Sequence, residues 1–303
     1  MVKKLIIVLL LVVGGAAQAH AALEDYFVST RWLADNLGKV RVVDVRKAAG
    51  YLFGHIPGAV NVERSEFLST RNGTKSLVPT ADEFVALMSR LGITADTPVV
   101  AYTSDSGSYS ARFVWTLRFH GHEKAYVLDG GYDKWKKEGR NTEMMSADQP
   151  PATKYVLNHA PDIRAEEDYV LTRLDHPDTL VWDTRRTSEY QGTEVRAARG
   201  GHIPGAIHLN WTELQTEVNG VRVLKSKKEL LSLLADRGIT PDKEILAHCQ
   251  TGIRSSYATL VLLGLGYPRA KNYDGSWIEW AHNPDLPVVD PARVAGKIEL
   301  PAR

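Results

Sequence analysis

Short apolar runs alternate with amphipathic stretches along most of the chain. Val40 to Val45 reads as a buried strand, and Asp82 to Leu91 carries the three-to-four spacing of an amphipathic helix. Val99-Val100-Ala101-Tyr102 predicts a second strand, Ala111 to Phe119 a helix, and Ala125-Tyr126-Val127-Leu128 a third strand. In the second half, Ile245-Leu246-Ala247 predicts a strand and Ser255 to Leu263 a helix. Strands and helices alternating in this way imply an α/β fold, each sheet mainly parallel and flanked by helices. In such sheets ligands sit beyond the carboxyl ends of the strands. Residues 249 to 254, Cys-Gln-Thr-Gly-Ile-Arg, fill one such strand-to-helix junction, and Cys249 is the only cysteine in the chain.

The pattern occurs twice. Val43-Asp44-Val45-Arg46 answers Trp182-Asp183-Thr184-Arg185, and Gly54-His55-Ile56-Pro57-Gly58-Ala59 recurs as Gly201-His202-Ile203-Pro204-Gly205-Ala206. Asp129-Gly130-Gly131-Tyr132 with Trp135 answers Asp274-Gly275-Ser276-Trp277 with Trp280. The offsets of 139, 147 and 145 place an insertion at Gln191 to Gly200 in the second copy. Each copy is the size of a domain, too long for a solenoid repeat. The division expected is a first domain at 23–144, a polar, proline-bearing linker at 145–161 and a second domain at 162–303.

Residues 1–19 read as a signal peptide: a basic start, an apolar run from Leu5 to Val13, and Ala17-Gln18-Ala19 as the cleavage pattern. The run is well short of the roughly 20 residues that a membrane span needs. The expectation is an exported, soluble protein, in the bacterial periplasm, with no membrane attachment after cleavage. The formal net charge of +1 lends no support to a nucleic-acid partner. One cysteine excludes an internal disulfide framework and makes a poor metal site; it makes a good nucleophile.

The duplication acts as an internal control: features in both copies build the fold, and features in one copy carry chemistry. An offset of 145 puts Ser104 opposite Cys249, Gly107 opposite Gly252 and Tyr109 opposite Arg254, so the first domain reads as catalytically silent and as shaping the cleft. The Gly-His-Ile-Pro turns, with His55 and His202, read as scaffold, as do the Asp44–Arg46 and Asp183–Arg185 pairs, Asp274 and Trp277. Arg185 and Arg186 are nevertheless retained as candidates for reaching a substrate. His248 is no partner for the thiol, because neighbouring strand residues face opposite ways.

A free thiol is only about 3% ionised at pH 7. A helix N-terminus and Arg254 together are expected to lower its pKa and make the thiolate a large share of the population. Gly252 permits a path that turns successive N–H groups inward, so Gln250, Thr251, Gly252, Ile253 and Arg254 form a cradle for an anionic group. Attack on phosphorus and attack on a sulfane sulfur both fit such a nucleophile. Four residues separate Cys249 from Arg254, one fewer than in the loop with which cysteine phosphatases wrap a phosphate. No aspartate acid is evident nearby, and the smaller cradle favours sulfur.

These features together resemble tandem-domain rhodaneses, the thiosulfate and 3-mercaptopyruvate sulfurtransferases, over about residues 23 to 290. The resemblance implies two rhodanese-like domains. Cys249 would take the outer sulfur of thiosulfate as a persulfide and pass it to cyanide or a thiol, with no metal or organic cofactor. Loops of the mercaptopyruvate type are small and neutral, whereas Gln250, Thr251 and Arg254 make a cationic loop that matches thiosulfate. Many relatives place an arginine before the tyrosine that follows the Asp183 segment; this chain has Glu189 before Tyr190. Arg186, Arg196 or Arg199 are the candidates to replace that charge, the last two reading also as solvated surface. Mercaptopyruvate turnover and a persulfide carrier serving an exported partner are the alternatives. A monomer is expected, the two halves covering each other.

Overall fold

The computed structural model describes residues 22–104, 106–145 and 150–292; the segment read as a signal peptide and the end of the expected second domain lie outside them. The first domain runs β1 (Phe27–Val28), α1 (Thr30–Asn36), β2 (Arg41–Asp44), α2 (Ala48–Leu52), β3 (Val60–Asn61), β4 (Ser69–Arg71), β5 (Thr74–Leu77), α3 (Ala81–Arg90), β6 (Val99–Tyr102), α4 (Ser108–Phe119), β7 (Ala125–Leu128) and α5 (Gly131–Lys137). The second repeats that order as β8 (Arg164–Ala165), α6 (Glu167–Arg173), β9 (Thr179–Asp183), α7 (Thr187–Tyr190), β10 (Ile207–His208), β11 (Gln215–Val218), β12 (Val221–Leu224), α8 (Lys227–Ala235), β13 (Glu244–His248), α9 (Ile253–Gly264), β14 (Ala270–Tyr273) and α10 (Ser276–Trp280).

Each domain holds a five-stranded parallel sheet, ordered β1-β7-β6-β2-β3 and β8-β14-β13-β9-β10, so corresponding strands occupy corresponding places. Central strands such as β6 and β13 are buried along their whole length, which is why they read as unbroken apolar runs rather than alternating ones. Long helices have ordinary starts: Thr80 and Ser226 accept from the N–H groups of Glu83 and Glu229, whose carboxylates reach back, the capping box of α3 and α8.

The helices that follow the two matching loops, α4 and α9, pack against each other across the domain interface. Nearly every residue of α9 is buried, the hydroxyls of Ser255, Ser256 and Thr259 each holding a hydrogen-bond partner. One hydrophobic cluster therefore runs through both domains, joining Phe67, Phe113 and Trp115 to Leu260, Leu262 and Trp211; two smaller clusters line the outer sheet faces. The connector is docked rather than freely solvated where it is described. Tyr155 is 4% exposed, stacks edge-on against Phe84 and bonds His122, while Thr153 bonds Ser89 and Ile93.

Candidate active site

The strand β13 delivers Cys249 to the carboxyl edge of the second sheet, and the loop closes at Gly252 before α9 begins. Gly252 has φ +72°, and a Cβ there would lie 2.5 Å from the carbonyl oxygen of Asp274, so the position demands glycine. Its own carbonyl accepts from Ser256 Oγ at 2.6 Å, Asn272 Nδ2 at 3.0 Å and Arg112 Nη1 of the first domain at 3.4 Å. With the Ser256 N–H at 3.3 Å, four donors on one oxygen fix that peptide plane. The Cys249 backbone is held as well: its N–H donates to Ser276 Oγ at 3.2 Å, and its carbonyl accepts from the N–H of Trp277 at 3.0 Å.

Cys249 is 1% exposed. Burial pushes its thiol up, but the Arg254 guanidinium and the N–H groups of Ser255 and Thr251 outweigh burial and hold it below its ordinary value. The Thr251 N–H lies 3.5 Å from Sγ. Gln250 is buried, its Nε2 donating to the Arg196 carbonyl at 2.9 Å and its carbonyl accepting from the Ile278 N–H. Ile253 is 8% exposed and opens α9. Of the loop residues singled out from the sequence, Thr251 and Arg254 act on the thiol, while Gln250 and Gly252 hold the shape of the loop.

His248 is fully buried, with Nδ1 3.3 Å from the Cys249 carbonyl and Nε2 3.7 Å from Asp183. Burial drives its pKa down to about 4 in spite of Asp183, so it is neutral at pH 7.

The arginines separate. Arg185 is 1% exposed; Nε and Nη2 bind Asp183, Nη2 binds the Gly201 carbonyl at 2.7 Å, and the guanidinium covers Trp277. Arg46 repeats this arrangement with Asp44 and Gly54 in the domain that lacks the cysteine. Arg185 thus commits Nε and Nη2 to Asp183 and to the turn that both copies share. Arg199 is no solvated surface residue either, since it donates to the carbonyls of Trp280, Ala281, Asn283 and Leu286. Arg186 and Arg196 keep 53% and 46% of their side chains exposed and join Arg254 around one carboxylate.

That carboxylate is Glu189, at 0% side-chain exposure. Arg254 grips it at two points, Nη1 to Oε2 at 2.7 Å and Nη2 to Oε1 at 2.9 Å. Burial alone would raise the Glu189 pKa, but the Arg254 guanidinium reverses that and holds it at about 2. Sequence reasoning passed over Glu189 as a departure from pattern, and Ser276 altogether. A usable signal existed for Glu189: the offset of 139 that aligns Arg185 with Arg46 puts Gly50 opposite it.

Arg112 of α4 is the first domain's contribution. It is 0% exposed and donates to Asp274 at 2.6 Å, while the Val78 N–H donates to the other Asp274 oxygen at 3.0 Å. Asp274 was expected to stabilise its own domain; it stabilises the joint between the two. A cavity of about 1040 Å³ lies elsewhere, at the amino ends of the strands near Tyr126, Glu244 and Lys271, and no loop residue lines it. Among the described residues no cluster of metal-ligating side chains occurs, and no helix is long and apolar enough to cross a membrane.

Residues 29–138 and 166–283 each match the Rhodanese-like domain. The chain is 38% identical to a Thiosulfate sulfurtransferase of Pseudomonas aeruginosa over 84% of its length and 94% of that protein. It is 37% identical to a Thiosulfate sulfurtransferase of Azotobacter vinelandii over 82% of this chain and 90% of that one. It is 36% identical to the Sulfur carrier protein TtuD of Thermus thermophilus over 87% of this chain and 96% of that one. Among solved structures, a persulfide form of EanB with ergothioneine superposes with TM-score 0.80 at 23% identity, covering 89% of this chain and 71% of that one. The structure of YnjE superposes with TM-score 0.78 at 22% identity, covering 88% and 68%; at these identities the likeness is one of fold.

Proposed function

The chain belongs to the rhodanese-like family through both of its domains, and on that footing we propose that it is a thiosulfate sulfurtransferase working through a persulfide on Cys249. The observation that carries this reading is the buried thiol, held below its ordinary pKa by Arg254 and loop N–H groups. The relatives named for thiosulfate sulfurtransferase activity supply the donor.

In the first half-reaction the Cys249 thiolate attacks the outer sulfur of thiosulfate. A new S–S bond forms, the old one breaks, and sulfite leaves with the electron pair. In the second, cyanide or a thiolate attacks the outer sulfur of the persulfide and the Cys249 thiolate leaves. Arg254 and the N–H of Thr251 stabilise negative sulfur in both steps. Arg254 and the loop N–H groups favour the thiolate over the thiol, so the scheme assigns no general base. No metal enters the scheme.

Steady-state turnover of residues 20 to 303 with thiosulfate and cyanide tests the reading, with thiocyanate and sulfite followed and mercaptopyruvate run in parallel. Thiocyanate production that disappears in Cys249→Ser is the expected result; no persulfide with either donor refutes it. A persulfide that forms but passes nothing to cyanide points to a sulfur carrier, the reading favoured by the likeness to TtuD. We also propose export to the bacterial periplasm on the signal pattern of residues 1–19; recovery of the protein in the cytosolic fraction after cell fractionation speaks against it.

A further inference from the structure

Glu189 is buried at the site, yet nothing in the transfer chemistry requires a carboxylate there. It accepts two bonds from Arg254, one from Arg196 Nη1 at 3.2 Å and one from Arg186 Nε at 3.2 Å. Arg186 is shared further with Glu194 at 2.5 Å. Both members of the central pair are confined to the domain that carries the cysteine: Gly50 stands opposite Glu189 and Tyr109 opposite Arg254 in the other copy.

A guanidinium paired at two points has its plane fixed and much of its charge compensated. It still faces the thiol, but it draws a distant anion less than a free arginine would. Three guanidinium groups against two carboxylates leave the cluster with a single positive charge. Attraction scales with the charge on the donor, so the compensation bears twice as heavily on a dianion as on a monoanion.

We propose that Glu189 is a specificity-determining, positioning residue: by clamping Arg254 and offsetting the arginine cluster, it limits how strongly the site favours doubly negative sulfur donors over singly negative ones. The compensation also eases departure of anionic sulfite after each transfer. The proposal rests on the sulfurtransferase reading above, and the two fail separately. If the unmodified protein transfers sulfur from neither donor, that reading fails; if it does, the variants below decide on Glu189.

The experiment compares kcat/KM for thiosulfate and for mercaptopyruvate, whose carboxylate gives it one negative charge beside a neutral thiol. Glu189→Gln keeps the shape and removes the charge. It is expected to lower the thiosulfate KM about tenfold, to raise the thiosulfate-to-mercaptopyruvate ratio about threefold or more, and to tighten inhibition by sulfite. Glu194→Gln removes the same charge from the partly exposed rim and is expected to move the ratio by less than about twofold. Removing a buried charge can unfold a chain, so Arg196→Gln is the second variant. Its side chain is largely exposed, its loss turns more of the Glu189 charge on Arg254, and the ratio is expected to fall. An unchanged ratio in whichever of these two variants folds overturns the proposal. So does a shift in Glu194→Gln as large as theirs, which would make net charge rather than the clamp responsible.

Discussion

At the scale of single residues the site is a contest between burial and charge. Burial alone would keep Cys249 protonated; Arg254 is the largest of the influences that reverse it. Arg254→Gln therefore raises the midpoint of Cys249 alkylation by iodoacetamide by about one pH unit or more. The direction is doubly determined, since the Glu189 charge, no longer gripped by Arg254, would then also oppose the thiolate. Alkylation rates from pH 5 to 10 measure it, and a midpoint that stays in place removes Arg254 from the account. Cys249 and Arg254 were legible in the sequence because a nucleophile and a fixed cation at a strand-to-helix junction need few assumptions. Glu189 was not, because an acidic residue before a tyrosine reads as surface until its partner, 65 residues away, is seen beside it. Arg185 shows the converse: its identity suits anion binding, while its Nε and Nη2 bonds go to Asp183 and the turn.

At the scale of elements, the loop is shaped by what surrounds it. Gly252→Ala would force φ +72° on an alanine and drive its Cβ into the Asp274 backbone, so the loop must open or shift. We expect a loss of about 1–3 kcal/mol in stability and a fall in turnover much larger than for Gly238→Ala. Gly238 also has a positive φ, +70°, but with open space around it, so that comparison isolates the clash. Comparable turnover in the two variants would mean that the loop tolerates displacement. The insertion at 191–200 belongs to this scale too, since Arg196 meets Gln250 through its carbonyl and Arg199 ties the chain to the segment after α10. Central strands and long helices matched their sequence expectations to within a few residues. The two-residue edge strands and the β4–β5 and β11–β12 hairpins were missed, being too short for any periodicity to register.

At the scale of the whole molecule the two domains share one hydrophobic cluster and meet at the cysteine loop. His120, His122 and His248 are all buried, and burial carries each pKa down to about 4. The unfolded chain binds protons at these rings below about pH 6.5 and the folded one does not until about pH 4, so stability is lost as pH falls through that window. A decline of about 1–2 kcal/mol per histidine between pH 7 and 5 is expected in urea titrations, and a flat profile would contradict it. The joint itself makes the sharper claim. Arg112, in the domain without the cysteine, holds Asp274 and touches the Gly252 carbonyl of the other domain's loop. Arg112→Met leaves the buried Asp274 carboxylate with only the longer Arg164 contact, at 3.5 Å, as its cation and costs about 3 kcal/mol. Asp274→Asn in the same chain restores part of that loss, because the stranded charge is gone. Stability and activity then part company. The double variant regains stability, but the Gly252 carbonyl still lacks its Arg112 donor, so Cys249 alkylation at pH 7 stays slower than in the parent. If alkylation recovers together with stability, Arg112 only glues the domains; if it does not, the catalytically silent domain supplies part of the active site.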